Sequence, residues 1–306
     1  MAEAVQEISA RVAAASGEGV DECWIDIEGA RMRYLRAGSG PPLILLHGLL
    51  GYSFSWRFVM PALAPFATVY ALDLLGAGFS DRAFTLDHSV RATARRVLQF
   101  ARRLNLFSLD LLGTSHGGAV AMMAAEECLA VGSRVGSRVK LNSLVLVAPV
   151  NPYSSHGRWL APLIGTPLGS ALFRLTIPRM PFLFPYGHQR MYGNRKNIPA
   201  GTLEGYMAPL ALPGLFEHGL NIVRTWKQDL LELETVLPKL ASLPTLLMWG
   251  SDDSAVYASS ARPLAKFFPN SQTLIFPGIG HLPYEECPEQ FNRALIEFLT
   301  RTRVPA

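Results

Sequence analysis

Three cysteines, Cys23, Cys128 and Cys287, are scattered along 306 residues. Their odd number and wide separation exclude a disulfide framework and the paired spacings of a zinc site. Charge is scarce as well: charged residues make up 17% of the chain, and the net charge is only +4. Apart from the pairs Arg95/Arg96 and Arg102/Arg103 the arginines are dispersed. No basic stripe interleaved with aromatics is available for nucleic acid. No apolar run approaches the roughly 20 residues needed to cross a bilayer, so no integral membrane segment is expected. The opening "MAEAVQEISARVAAAS" contains Glu3 and Glu7 and lacks the continuous apolar stretch of a signal peptide. A cytoplasmic location is the resulting expectation. Walker-type P-loops and dinucleotide fingerprints are missing too, because the glycines of "GLLG" and "GAGFSD" have the wrong spacing. No cofactor is implied.

What the chain has in quantity is apolar side chains, 49% of its residues. A protein of this length buries roughly three quarters of its unfolded surface, so the composition calls for a large core, or a core with an apolar pocket added. Residues 23–36 alternate apolar and polar around Glu28-Gly29, the pattern of an antiparallel hairpin. Short, nearly unbroken apolar runs follow at "PPLILLHG", "ATVYALDLLG", "SLDLLG", "NSLVLVAP", "PTLLMWG" and "QTLIFPG". Such runs suit strands covered on both faces of a parallel sheet. Between them the spacing predicts helices, one over residues 87–105 with Asp87 as N-cap. The expected fold is therefore α/β, a mostly parallel doubly wound sheet, with ligands binding beyond the carboxyl ends of the strands.

From about 150 to 227 the texture changes to proline, glycine and aromatics with no buried-strand run. The segment is too apolar for a disordered linker and too long for a simple crossover. It reads as a helical lid inserted over the sheet, with a structural excursion lacking a substrate role as the plainer alternative. The organisation expected is an N-terminal extension at 1–21, a core made of 22–149 and 228–306, and the lid at 150–227.

One stretch concentrates the chemistry. In "LLGTSHGGAVAM" an apolar run ends at Gly113, and Ser115 stands between small residues before an alanine-rich run begins. A G-x-S-x-G pattern at a strand-to-helix junction holds a nucleophile in a sharp turn, which only small neighbours permit. The following helix directs its free amides at developing negative charge. Serine needs a base, and the base an orienting acid. His281, in a loop after the last predicted strand, is the candidate base. Asp252 and Asp253, just beyond another strand end, are the candidate acids. An oxyanion hole would use the amide of His116 and one from "LLHGLLGYSFSW", with Leu49 assigned and Leu50 nearly as suitable. The His47 side chain, Asp73 and Asp81 are expected to shape loops.

Together "HGLLGYSFSW", "LDLLGAGFSDR", "GTSHGG", "WGSDD" and "GIGHLPYEECPEQF" resemble the α/β-hydrolase superfamily in order and spacing, from about residue 24 to 300. The resemblance implies Ser115 as nucleophile, Asp253 as acid, His281 as base, Leu49 and His116 as oxyanion donors, and 150–227 as the family's cap. In the similar haloalkane dehalogenases and epoxide hydrolases an aspartate occupies the elbow; Ser115 stands there in this chain, which sets those activities aside. The lid residues Phe173, Met180, Phe182, Phe184, Tyr186, Met191 and Tyr192 suggest an apolar pocket. The expected activity is hydrolysis of a small to medium hydrophobic carboxylic ester. A carbon-carbon bond hydrolase or a cofactor-free perhydrolase is the alternative enzyme. Arg158, Arg174, Arg179, Arg190, Arg195 and Asn194 are the groups that could serve its charged substrate. A ligand-binding protein without turnover is the alternative of a different class. Oligomeric state is not legible.

Overall fold

The computed structural model describes residues 17–83, 85–130, 139–154, 164–176 and 183–303. The N-terminal residues 1–16, together with Arg158, Arg179, Met180 and Phe182, lie outside the described residues.

Eight strands, β1 (Val20–Ile27), β2 (Ala30–Ala37), β3 (Pro42–Leu46), β4 (Thr68–Leu72), β5 (Ser108–Thr114), β6 (Lys140–Val147), β7 (Thr245–Gly250) and β8 (Ser271–Phe276), form one sheet. Their order is β1-β2-β4-β3-β5-β6-β7-β8. The first two make the expected hairpin, closed by Glu28 and Gly29 at φ 57° and 79°. Two successive positive φ values match the twist of paired strands. Strand β2 pairs antiparallel with β4, and from β4 to β8 every pairing is parallel.

Alternation within the parallel strands gives the sheet two apolar faces. Ile44, Leu46, Leu111 and Leu144 pack on one side with Phe100 and Met122. Leu43, Leu45, Leu112 and Val145 pack on the other with Met60, Phe291 and Leu295. Apart from Met60, which lies in the short helix Met60–Leu63, these partners come from α1 (Val90–Arg103), α2 (His116–Leu129) and, at the C-terminal end, Pro288–Arg303. Helix α2 is buried almost all round, which explains why its sequence is apolar without a polar stripe.

Two expectations are corrected. The cap of α1 is Ser89, whose Oγ accepts from Ala92 N–H at 3.2 Å. Asp87 stands two residues earlier, its Oδ1 accepting from Ser89 N–H at 2.8 Å, so it braces the cap. Strand β8 is not covered on both faces: at the sheet edge it leaves Gln272, Thr273 and Ile275 exposed.

Between β6 and β7 lie α3 (Pro167–Thr176), α4 (Leu183–Gln189), α5 (Thr202–Met207) and α6 (Leu215–Val236). Helix α6 runs unbroken through position 227, where the sequence suggested a boundary, and β1 begins within the expected N-terminal extension. Pro288–Arg303 is α7.

Candidate active site

Strand β5 ends at Thr114 and α2 begins at His116, so Ser115 alone turns the chain. It does so at φ 52° and ψ −120°, outside the comfortable regions for an L-residue. Its surroundings hold it there. Ser115 N–H donates to Val147 O at 3.0 Å, and its carbonyl accepts from Gly118 N–H at 3.0 Å and Val150 N–H at 2.8 Å. The flanking glycines let strand and helix meet: a Cβ on Gly113 would lie 2.2 Å from Gly117 O, and one on Gly117 would lie 2.4 Å from His47 O.

Two later loops bring Asp253 and His281 to the same end of the sheet. His281 Nδ1 lies 2.7 Å from Asp253 Oδ2. The other carboxylate oxygen accepts from Ala255 N–H and Val256 N–H, each at 2.8 Å. Asp253 is 4% exposed and His281 5%, so the pair is shielded from water. A carboxylate facing Nδ1 takes its proton as a hydrogen bond, which leaves Nε2 as an acceptor in the neutral ring. Asp252 is exposed and accepts from the Ser251 hydroxyl at 2.7 Å. Of the two adjacent aspartates, Asp253 is therefore the one set against the imidazole.

The loop after β3 turns back over Ser115. A Cβ on Gly48 would lie 3.0 Å from Ser115 Cβ. Gly51 N–H donates to Gly48 O at 3.0 Å, and Leu50 sits at φ 58°, the signature of a type II turn. His47 Nε2 accepts from Leu74 N–H at 3.1 Å, so Nδ1 carries the proton and donates to Gly48 O at 2.8 Å. With the Gly48 carbonyl engaged on one side, the trans peptide aims Leu49 N–H the other way. The amides of Leu49, Leu50 and His116 donate to no protein acceptor among the described residues. Desolvation lowers the His116 imidazole to about 4, and neighbouring His47 and His88 act in the same direction. Its side chain is thus neutral near pH 7. Asp73, as expected, shapes its loop: it is fully buried and accepts from Ser53 N–H at 2.8 Å and Phe79 N–H at 2.9 Å. Asp81 Oδ2 accepts from Arg31 N–H at 2.7 Å.

Ser115, His281, Leu49 and His116 all line one cavity of about 890 Å³. Its far walls are Phe173, Phe184, Phe216, Ile222, Trp226 and Leu230. Phe173, Phe184 and Met191 were legible as pocket residues, whereas Tyr186 is exposed. Tyr192 is buried elsewhere, donating to Glu285 Oε2 at 2.6 Å. The contribution of α6 was missed. Its signal is the four-residue spacing of Ile222, Trp226 and Leu230, which puts them on one helix face.

A buried ionic cluster beside the cavity was also missed. Arg57 Nη2 meets Glu285 Oε2 at 2.8 Å; Tyr206 donates to the other Glu285 oxygen. Arg57 Nη2 also donates to Thr202 Oγ1 at 2.8 Å. Thr202 and Tyr206 belong to α5, so the cluster ties that helix to the loop that carries His281. Nothing in "YEEC" distinguishes such a glutamate from a surface one.

A strained serine that shares one cavity with the histidine of a histidine–carboxylate pair, at the carboxyl edge of a doubly wound sheet, defines a hydrolase-like architecture. A family model described as the alpha/beta hydrolase family matches residues 43–294, and the chain belongs to that family. Among its relatives, Haloalkane dehalogenase 2 of Mycobacterium tuberculosis is 27% identical over 288 residues, 90% of this chain and 93% of the relative. Pimeloyl-(acyl-carrier protein) methyl ester esterase of Aeromonas hydrophila is 28% identical over 269 residues, 86% of this chain and 97% of the relative. The solved structure of a membrane phospholipase A, a bacterial virulence factor, matches with a TM-score of 0.78 at 26% identity, over 99% of this chain and 93% of that one. Relatives of near-equal identity thus differ in the reaction they are named for. Among the described residues no helix is long and apolar enough to cross a membrane.

Proposed function

We propose that the protein is a serine hydrolase cleaving a hydrophobic carboxylic ester through an acyl-enzyme. The observation that carries this reading is the Ser115 elbow and the 2.7 Å His281–Asp253 pair opening onto one apolar cavity. His281 Nε2 removes the Ser115 proton, and the Ser115 oxygen attacks the ester carbonyl. The resulting oxyanion accepts from the amides of Leu49 and His116, which have no acceptor among the described residues; each such donor is typically worth about 3 kcal/mol. Protonated His281 then gives its proton to the departing alkoxide. Water, activated by the same nitrogen, releases the acid and restores Ser115. Residues 150–227, continued to the end of α6, form the lid, since its described helices supply Phe173, Phe184, Phe216 and Trp226 to the cavity.

The cavity chemistry bears on the carbon-carbon hydrolase alternative. Of the groups that could receive a dicarboxylate or dienoate, Arg174, Arg190, Arg195 and Asn194 do not line it. Arg174 is engaged by Glu217 at 2.6 Å. The single cation among the described lining residues is Lys227, on α6. An uncharged ester fits these walls better.

The test is hydrolysis of p-nitrophenyl esters from acetate to palmitate, with Ser115→Ala beside the wild type and a fluorophosphonate to label the serine. Turnover with a chain-length optimum, lost in the variant, is expected. Turnover retained by Ser115→Ala refutes the mechanism. A labelled serine without ester turnover moves the assignment to the carbon-carbon reaction, and saturable binding without labelling moves it to a binding protein.

A further inference from the structure

Glu286 is 8% exposed, yet no Lys or Arg side chain forms a salt bridge with it among the described residues. A carboxylate withdrawn from water needs hydrogen bonds in compensation. Here they come from the backbone of two separate segments. Oε2 accepts from Gly280 N–H at 2.8 Å and Gly193 N–H at 3.0 Å. Oε1 accepts from Asn194 N–H at 2.8 Å and has Asn197 Nδ2 at 3.5 Å. Gly280 immediately precedes His281, while Gly193 and Asn194 belong to the strap that leaves α4.

The strap touches the flanks of both members of the acid–base pair. His281 N–H donates to Met191 O at 2.6 Å, and the Ser254 hydroxyl, next to Asp253, donates to Arg190 O at 2.7 Å. The fit is close: a Cβ on Gly280 would lie 2.2 Å from Met191 O, and one on Gly193 would lie 2.5 Å from Gly278 O. Asp253 fixes one nitrogen of the His281 ring. The direction of the other nitrogen depends on where the His281 backbone is held, and that backbone is pinned by Met191 O and, one residue earlier, by Glu286. Glu285 has a different task, because Arg57 and the Tyr192 and Tyr206 hydroxyls engage it.

We propose that Glu286 is a positioning residue: it clasps the 190–194 strap to the His281 loop and thereby sets the imidazole relative to Ser115. The proposal rests on the serine-hydrolase reading. Charge-assisted bonds of this kind are about twice as strong as neutral ones, and a misplacement of about 1 Å can lower turnover about 100-fold. Glu286→Gln keeps the shape but offers one acceptor oxygen, and its NH2 group must confront a backbone N–H.

The experiment compares wild type, Glu286→Gln, Glu286→Asp and, as control, Glu289→Gln, an exposed position on α7. End-point labelling of Ser115 by a fluorophosphonate counts competent sites; labelling rate, kcat per labelled site and KM read the alignment. Glu286→Gln should lose about 10- to 100-fold in kcat per site and in labelling rate, with little change in KM. Glu286→Asp, which retains both acceptor oxygens but draws them back, should fall between it and wild type, and Glu289→Gln should match wild type. If Glu286→Gln does not fold, Glu286→Asp decides. A folded Glu286 variant with wild-type labelling rate and kcat per site overturns the proposal, even if its melting temperature falls. A wild-type Ser115 that never labels overturns the serine-hydrolase reading instead, which is a different result from a labelled wild type with unaffected variants.

Discussion

Asp253→Asn has an outcome dictated by hydrogen-bond direction. Oδ1 of Asp253 accepts two backbone N–H groups at 2.8 Å, so the carbonyl oxygen of an asparagine must occupy that side. Its NH2 group then faces His281 Nδ1, which lay 2.7 Å from the carboxylate. Two donors cannot share one hydrogen bond. The imidazole therefore shifts its proton to Nε2, the nitrogen that serves Ser115 in the proposed mechanism, and the base is lost. In the general Ser-His-Asp template this change lowers kcat about 10⁴-fold, equivalent to about 5 kcal/mol of transition-state stabilisation. The fold should lose little, because both backbone bonds to Oδ1 survive. The assay is kcat for a p-nitrophenyl ester per folded protein, with thermal melting as the control on folding. Asp252→Asn, at an exposed site, should stay within about twofold of wild type. Turnover by Asp253→Asn within about tenfold of wild type, or a comparable loss in Asp252→Asn, would refute the tautomer argument.

Other substitutions test the elbow, the cavity and a buried acid. Gly117→Ala places a Cβ 2.4 Å from His47 O and 2.5 Å from Leu46 O; overpacking should cost about 1–3 kcal/mol and displace the loop facing Ser115. Melting and kcat should fall together, and a variant unchanged in both would show that the close approach is dispensable. Ile222→Trp intrudes into the cavity from a buried position. It should move the acyl-length optimum to shorter esters and cut kcat/KM on the longest good ester roughly tenfold; an unchanged profile would mean the acyl chain lies elsewhere. Asp229, 3% exposed, is raised to about 6 chiefly by burial, while its unfolded value lies near about 4. The folded state then binds more protons between these values, so this group's contribution to stability falls as pH rises from about 4 to 6. Asp229→Asn, which can still accept from Val90 N–H, should be more stable than wild type by on the order of 2 kcal/mol at pH 8. The gain should vanish toward pH 4, and a gain independent of pH in melting experiments would contradict the cause assigned.

Local pattern alone disclosed most of the scaffold. Unbroken apolar runs mark β3 to β7 because both faces of those strands are covered, and the glycines around Ser115 mark the elbow because a Cβ there meets backbone. Strand β8 misled, since an apolar run does not state whether a neighbour exists on its outer side. Asp87 misled because it and Ser89, two residues apart, can each cap a helix, and backbone direction favours Ser89. Local pattern did not separate Asp252 from Asp253, and only the family resemblance pointed to Asp253: both follow β7, and the turn aims Asp253 at His281 and Asp252 at solvent. The cavity wall from α6 and the carboxylates of Glu285 and Glu286 were decided only by folding. Their partners lie far away in the chain, Arg57 and Tyr206 for one and Gly193 and Asn194 for the other. What sequence determined here is what short-range sterics and periodicity encode; which distant groups satisfy a buried charge, and which face of a helix meets a ligand, is settled by three-dimensional packing.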